Sequence, residues 1–271
     1  MTETQKVIKY VAIAFAILLI VGIVGGILQA IGALVSIFGG SEDLIGEMVT
    51  YEITGEVKEL EIELGAARLE IRVGTEFSLS SDHKYIDVSQ TGDSLSIREP
   101  RRVVHRGESP QVILTLPSDV TLDRIYISTG AGRVSIETLA AERLSFDLGA
   151  GEVVIGSLSA LTEAEINGGA GQMTVRGGTL RNLDLDMGVG ELRLTARLLG
   201  DCDLDYGVGE AHLTLLGDKS DYRIELEKGI GSATVDGVTV SGGIYGDGPC
   251  HVEINGGVGA ITVSFRADTN D

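Results

Sequence analysis

The side chains from which this chain could build chemistry are four histidines, two cysteines and forty carboxylates spread over 271 residues. His83, His105, His212 and His251 are scattered, and neither they nor Cys202 and Cys250 show HExxH or paired Cys/His zinc spacing. No serine sits in a nucleophile elbow with histidine and aspartate in order. Some carboxylate pair will fall at glycosidase separation by chance. A polysaccharide-active enzyme would also need acidic, basic and aromatic residues around one cleft, and aromatics make up only 4% of the chain. The expectation is no catalytic residue, no metal, no cofactor and no small-molecule substrate.

Two further patterns invite chemistry. Gly-x-Gly recurs, but a dinucleotide fingerprint needs a third glycine at a strand-to-helix turn, and here each copy leads into another alternating run. Asn167-Gly168-Gly169-Ala170-Gly171-Gln172-Met173 opens like a calcium β-roll nonapeptide, yet Met173 stands where aspartate belongs and the repeat is about twice too long. The acidic residues therefore read as a solvated face. Arg98, Arg101, Arg102, His105 and Arg106 form the single basic run, around Pro100. They are candidates for contact with an anionic partner such as lipid headgroups, against the plainer reading of a loop that balances Glu99 and Glu108. The net charge of −19 argues against nucleic acid as a partner.

These residues must be positioned by a repeat. Structural corners are expected at the pairs Gly130 and Gly132, Gly149 and Gly151, Gly169 and Gly171, Gly188 and Gly190, Gly207 and Gly209, Gly229 and Gly231, and Gly257 and Gly259. The pairs are spaced by 19, 20, 19, 19, 22 and 28 residues. A degenerate copy is Gly65-Ala66-Ala67. Apolar residues alternate on both sides of each corner, as in Leu144, Phe146 and Leu148 before one and Val153 and Ile155 after it. Period two with one apolar face is a half-buried strand. Two short strands cannot bury their own face, so successive units must stack. The prediction is an all-β, single-stack β-solenoid of strand–GxG–strand repeats over residues 49–265. Residues 49–128 form an irregular cap, 129–265 the regular part and 266–271 a tail. The residue between the two glycines is expected to point inward and fill the bend. Cys202 precedes the fifth corner and Cys250 the seventh, which places them two rungs, about 10 Å, apart. A disulfide does not span that distance in a regular stack, and only the insertion before Gly257 could rescue a bridge.

Residues 10–38 carry no charge and exceed the roughly 20 apolar residues that cross a bilayer as a helix. Lys6 and Lys9 precede the run, whereas Glu42, Asp43 and Glu47 follow it. The positive-inside rule predicts a single transmembrane helix with residues 1–9 in the cytoplasm, a linker over 39–48 and the β domain extracytoplasmic at the cell membrane.

The run from Val112 to Ile155 resembles the bacterial DUF4097 family, whose members carry the label "putative adhesin". The marks are Leu116-Pro117, then Ile125-Tyr126-Ile127-Ser128-Thr129-Gly130-Ala131-Gly132, then repeated strand–GxG–strand units. Upstream, the stretch from Tyr85 to Glu99 is similar to the family's preceding strand pair. The likeness covers about residues 50–265. It implies a membrane-anchored, surface-exposed β-solenoid, in some members linked to envelope-stress sensing, and it brings no catalytic residues. The function expected is a non-catalytic surface interaction module, with a partner subunit of an envelope-stress sensing or regulatory system as one alternative and a polysaccharide-active enzyme on a β-helix scaffold as the other.

Overall fold

The computed structural model describes residues 44–99 and 108–267. The expected membrane helix (10–38), the segment before it and the basic residues Arg101, Arg102, His105 and Arg106 lie outside the described residues. Among the described residues no helix is long and apolar enough to cross a membrane. They form an all-β fold with one short 3-10 turn, Lys219–Asp221.

Alternation of apolar and polar residues turns into columns because the strands pair parallel and in register. Strand β2 (Glu59–Gly74) lies beside the first turn of β7 (Leu122–Val175), a continuous ribbon that carries three glycine corners. Next come β9 (Leu183–Leu199), with the short β8 (Thr179–Arg181) beside it, and then β10 (Asp201–Leu216). Two inward columns run through every coil. One holds Leu60, Ile125, Leu144, Ala164, Leu183, Cys202, Val252 and Ile224; the other holds Ile62, Ile127, Phe146, Ile166, Leu185, Leu204, Ile254 and Leu226, and all are buried. Leu158, Ala160, Leu180 and Leu198 add a third wall. Where an inner position is glycine, a neighbour fills the space: Met187 reaches over Gly168, and Ile261 reaches over Gly256.

Stacking at the corners leaves no room for side chains on the backbone. Gly190 has φ +140°, and a Cβ there would overlap the carbonyl oxygen of Gly171; one on Gly188 would stand 2.6 Å from the carbonyl oxygen of Gly169. Glycine is required at the second position by conformation and at both positions by the neighbouring coil.

Two expectations are corrected. The residue between the glycines points outward, not inward: Val189 is 47% and Ile230 48% exposed, and Ala131, Ala150 and Ala170 are exposed as well. Adjacent peptides in an extended bend point to opposite faces, and the inward positions are already taken by the residues that flank the corner. Gly209 meets a side chain as well as the neighbouring backbone. It shares the positive φ of its counterparts, at +134°, but a Cβ on Gly209 would overlap the Gly190 carbonyl oxygen and also stand 2.5 Å from the Tyr206 hydroxyl. That hydroxyl donates to the Gly190 carbonyl, so at this corner a core side chain serves the backbone of the neighbouring coil. A buried phenol must find a partner, and the bare Gly209 leaves the space in which it does so.

The second correction is that the last two coils are exchanged. β11 (Tyr222–Val235) leaves β10, and the chain returns as β14 (Cys250–Arg266) between them, so the order is β10, β14, β11. Cys202 pairs in register with Val252, and Cys250 with Tyr222, so the cysteines lie on neighbouring coils, not two rungs apart. An offset of two residues on adjacent strands separates Cα atoms by roughly 8 Å, still beyond the reach of a bridge. Both are buried free thiols, and burial pushes the Cys202 thiol up.

Antiparallel strands close both ends. On β11 lie β12 (Val238–Val240) and β13 (Gly243–Tyr245). At the other end, β5 (Ser94–Arg98) and β6 (Gln111–Pro117) pair with the two halves of β2. β4 (Asp87–Thr91) then covers β5, β3 (Ser78–His83) covers β6, and β1 (Ile45–Tyr51) covers β3.

The steric account yields a ranking. Gly190→Ala should cost about 3 kcal/mol or more. Gly237→Ala, at φ +76° with open space around it, should cost roughly 1–2 kcal/mol. Thermal unfolding followed by circular dichroism measures both, and equal midpoints would refute the role given to the neighbouring carbonyl.

Candidate functional site

The outward positions of the strand before each corner also form columns. One holds Tyr126, Ser145, Glu165, Asp184, Asp203, Glu253 and Glu225; the next holds Ser128, Asp147, Asn167, Asp186, Asp205, Asn255 and Glu227. Toward the capped end the polar groups satisfy one another. Asp147 accepts from the Tyr126 hydroxyl at 2.9 Å and from the Asn167 amide at 3.0 Å. In the middle, Asp184 and Asp186 on β9 face Asp203 and Asp205 on β10 in register, and among the described residues no cation pairs with these four. Burial, then Asp205 and Asp184, push the Asp186 carboxyl above its ordinary range. Burial, then Asp205, Glu253 and the β9 aspartates, do the same to Asp203. A groove of about 470 Å³ runs past Asp186, Asp205 and Asn255, floored by Gly188, Gly207 and Gly257. The ridge Ala131, Ala150, Ala170, Val189, Val208, Val258 and Ile230 borders it.

On the far side of the ridge, Glu191, Glu210 and His212 bring three donor atoms within 4.8 Å of one another. The sequence shows no ligand spacing, yet the coil period of 19 carries Glu191 onto Glu210, with His212 two residues on. Glu191 already accepts from Gln172 and Arg193, and the Gln172 amide, then Arg193 and His212, hold its carboxyl below the ordinary range against a smaller effect of burial. Opposite charges in this cluster account for one another.

The basic run is divided. Arg98 pairs with Glu61 at 2.5 Å and reaches Glu63 at 3.8 Å, so its charge is engaged within the domain, though with carboxylates other than Glu99 and Glu108. Glu99 turns inward. Its Oε2 accepts from the Gly65 N–H at 2.6 Å, and its Oε1 stands 3.6 Å from His83 Nε2; the two side chains are 2% and 0% exposed. The Tyr85 N–H donates to His83 Nδ1, which turns Nε2 toward Glu99. Burial raises the Glu99 carboxyl, but His83 and the N–H groups of Gly65 and Ala66 outweigh it and the net shift is downward. His251 lies between Asp201 at 3.9 Å and Glu225 at 3.8 Å, while His105 is outside the described residues.

These shifts give opposite pH dependences. Glu99 has its folded pKa lowered, so its stabilisation is present above the unfolded carboxylate pKa and is lost as pH falls through the folded value. Glu99→Gln should cost about 1–3 kcal/mol at pH 7, and melting curves should show the gap from wild type closing as pH drops below the carboxylate range. A gap independent of pH would remove the carboxylate from the account. Asp186 and Asp203 have folded pKa values raised, so their ionised forms oppose folding above those values and the penalty fades on acidification. Asp186→Asn and Asp203→Asn should therefore melt above wild type at pH 7 and converge with it in acid. Melting below wild type at pH 7 would show that these aspartates have partners that the geometry does not.

The family model described as Toastrack DUF4097 matches residues 52–244. Three crystal structures are similar to the chain. One is a putative cell adhesion protein from Clostridium sporogenes ATCC 15579, with 16% identity, 81% of this chain and 99% of that one covered, and a TM-score of 0.36. Another is a putative adhesin from Parabacteroides distasonis ATCC 8503, with 14% identity, coverage of 80% and 97%, and a TM-score of 0.37. The third is a putative adhesin from Bacteroides fragilis NCTC 9343, with 9% identity, coverage of 81% and 97%, and a TM-score of 0.29. No curated protein matches the chain.

Proposed function

The chain belongs to the Toastrack DUF4097 family, and from that premise we propose that it is a membrane-anchored, extracytoplasmic, non-catalytic interaction module. The observation that carries this reading is the outer surface of the stack. Its polar and apolar groups stand in parallel columns on rigid strands, an arrangement that suits contact along a line with another macromolecule. The uncharged run at residues 10–38 supports anchoring. Six residues lie between Phe38 and Ile45, where β1 begins. With Arg98 held by Glu61, contact with anionic headgroups would fall to Arg101, Arg102, His105 and Arg106, which follow it in the sequence between β5 and β6.

Protease treatment of intact cells that carry a C-terminal tag, with lysed cells as control, tests the display. Loss of the tag from intact cells is expected. Survival until lysis would overturn the extracytoplasmic reading and leave an intracellular scaffold in its place.

A further inference from the structure

We propose that the corner ridge and the aspartate columns beside it form a docking track for an extended, basic polypeptide segment that alternates cationic and aliphatic side chains. The proposal rests on the reading of this chain as an interaction module and gives that reading a face and a partner class.

The ridge needs an explanation that the fold does not supply. The residue between the corner glycines is exposed at Ala131, Ala150, Ala170, Val189 and Ile230 and half-buried at Val208 and Val258, and a serine or threonine would serve the bend as well as valine. Yet the position holds Ala131, Ala150 and Ala170, then Val189, Val208, Val258 and Ile230 in stacking order. The side chains thus grow toward the β11 end of the stack, and Val189 and Ile230 are about half exposed. These are also the coils in which the neighbouring columns are most acidic. Asp184, Asp186, Asp203, Asp205, Glu253, Glu225 and Glu227 lie on β9, β10, β14 and β11, beside the large ridge residues.

Charge complementarity identifies the occupant. The aspartate square carries like charges about 4.8 Å apart across the strands, with no cation among the described residues paired to it, and the ionised forms of Asp186 and Asp203 are held at a cost. Arginine forks from a partner would relieve that repulsion, and paired carboxylates in register suit bidentate contact. Anionic polymers, anionic lipids and nucleic acid are repelled from the same face. A small cation would answer the aspartates and leave the ridge unexplained, whereas a basic chain with aliphatic residues answers both. The strand backbones are paired within the stack, so recognition runs through side chains and the partner lies along the stack axis, not as an added strand. An extended octapeptide spans about 26 Å, enough to cross the coils of β9, β10, β14 and β11.

The test is fluorescence anisotropy with the full-length chain in zwitterionic detergent and three labelled octapeptides: alternating Arg-Val, Arg-Ser and Glu-Val. Arg-Val should bind, Glu-Val should not, and Arg-Ser should bind at least about fivefold more weakly. Raising salt from about 50 to about 300 mM should weaken Arg-Val binding by about tenfold or more. Combined Asp184→Asn, Asp186→Asn, Asp203→Asn and Asp205→Asn should weaken it by at least about tenfold. Val189→Ser with Val208→Ser should bring Arg-Val down to the Arg-Ser affinity while the melting midpoint stays within a few degrees of wild type. Equal binding of Arg-Val and Arg-Ser would reduce the surface to a charged face and overturn the track. So would binding that survives the Asn substitutions, or saturable calcium binding with no affinity for Arg-Val. These outcomes do not depend on membrane orientation, so failure here leaves the display experiment standing, and failure there leaves this one standing.

Discussion

The distance between neighbouring parallel strands, about 4.8 Å, governs this molecule most tightly at the glycine corners. There the carbonyl oxygen of one coil occupies the place where a Cβ of the next would be. A stack of coils that bend at the same point cannot carry side chains on the bend, and the chain accepts this seven times over with Gly-x-Gly. Once the corner is fixed, the phase of alternation on either side is fixed too. Each inward residue then lies on another inward residue, and the core becomes continuous aliphatic columns from Leu60 and Ile62 onward. The same register places each outward residue on its counterpart. Like charges therefore fall on like charges unless the sequence intervenes. In one column Asn167 and Asn255 interrupt the carboxylates, which leaves Asp186 and Asp205 as directly stacked aspartates there, beside Asp184 and Asp203 in the next column.

The ends of the stack break the rule for a physical reason. The first corner reads Gly65-Ala66-Ala67, and its outer neighbour is the Glu99 side chain, not another glycine backbone. The carboxylate serves N–H groups that a further coil would otherwise meet, and His83 holds it in place. At the opposite end the last-made coil is not the terminal one. β14 enters between β10 and β11, and β12 and β13 lie antiparallel on β11, which covers part of the final edge.

Period-two alternation around evenly spaced glycines was enough to read the all-β class, the stack and the inward columns, because register is a consequence of a constant repeat length. The direction of Val189 was not readable. An apolar residue between two glycines looks like core, and only the neighbouring coil's backbone decides which side of the bend is closed. Nor was the part Tyr206 plays at the Gly209 corner, since alternation marks the ring as core but not the carbonyl its hydroxyl meets one coil away. Spacings of 22 and 28 announced extra chain but not that β14 would return inside β11, because strand order is set by pairing partners and not by length. The Glu191–Glu210–His212 grouping was latent in the period of 19 and could have been found by writing the coils one above another. The His83–Glu99 pair could not, because the cap obeys no repeat.

Parallel columns bear on function through geometry. Catalysis needs groups that converge on one atom from several directions. Outward side chains on in-register strands stand side by side at a constant separation, which favours contacts repeated along a line. The grooves beside the ridge are shallow furrows between columns, floored by glycine backbone. Each coil adds the same modest contact, so affinity on such a surface grows with the number of coils engaged and specificity depends on which columns change along the stack. In this chain they change together: the ridge passes from alanine to valine at the coils where Asp184, Asp186, Asp203 and Asp205 stand with no paired cation among the described residues. A surface graded in two properties along one axis distinguishes the two directions of a partner laid on it, which a uniform repeat does not.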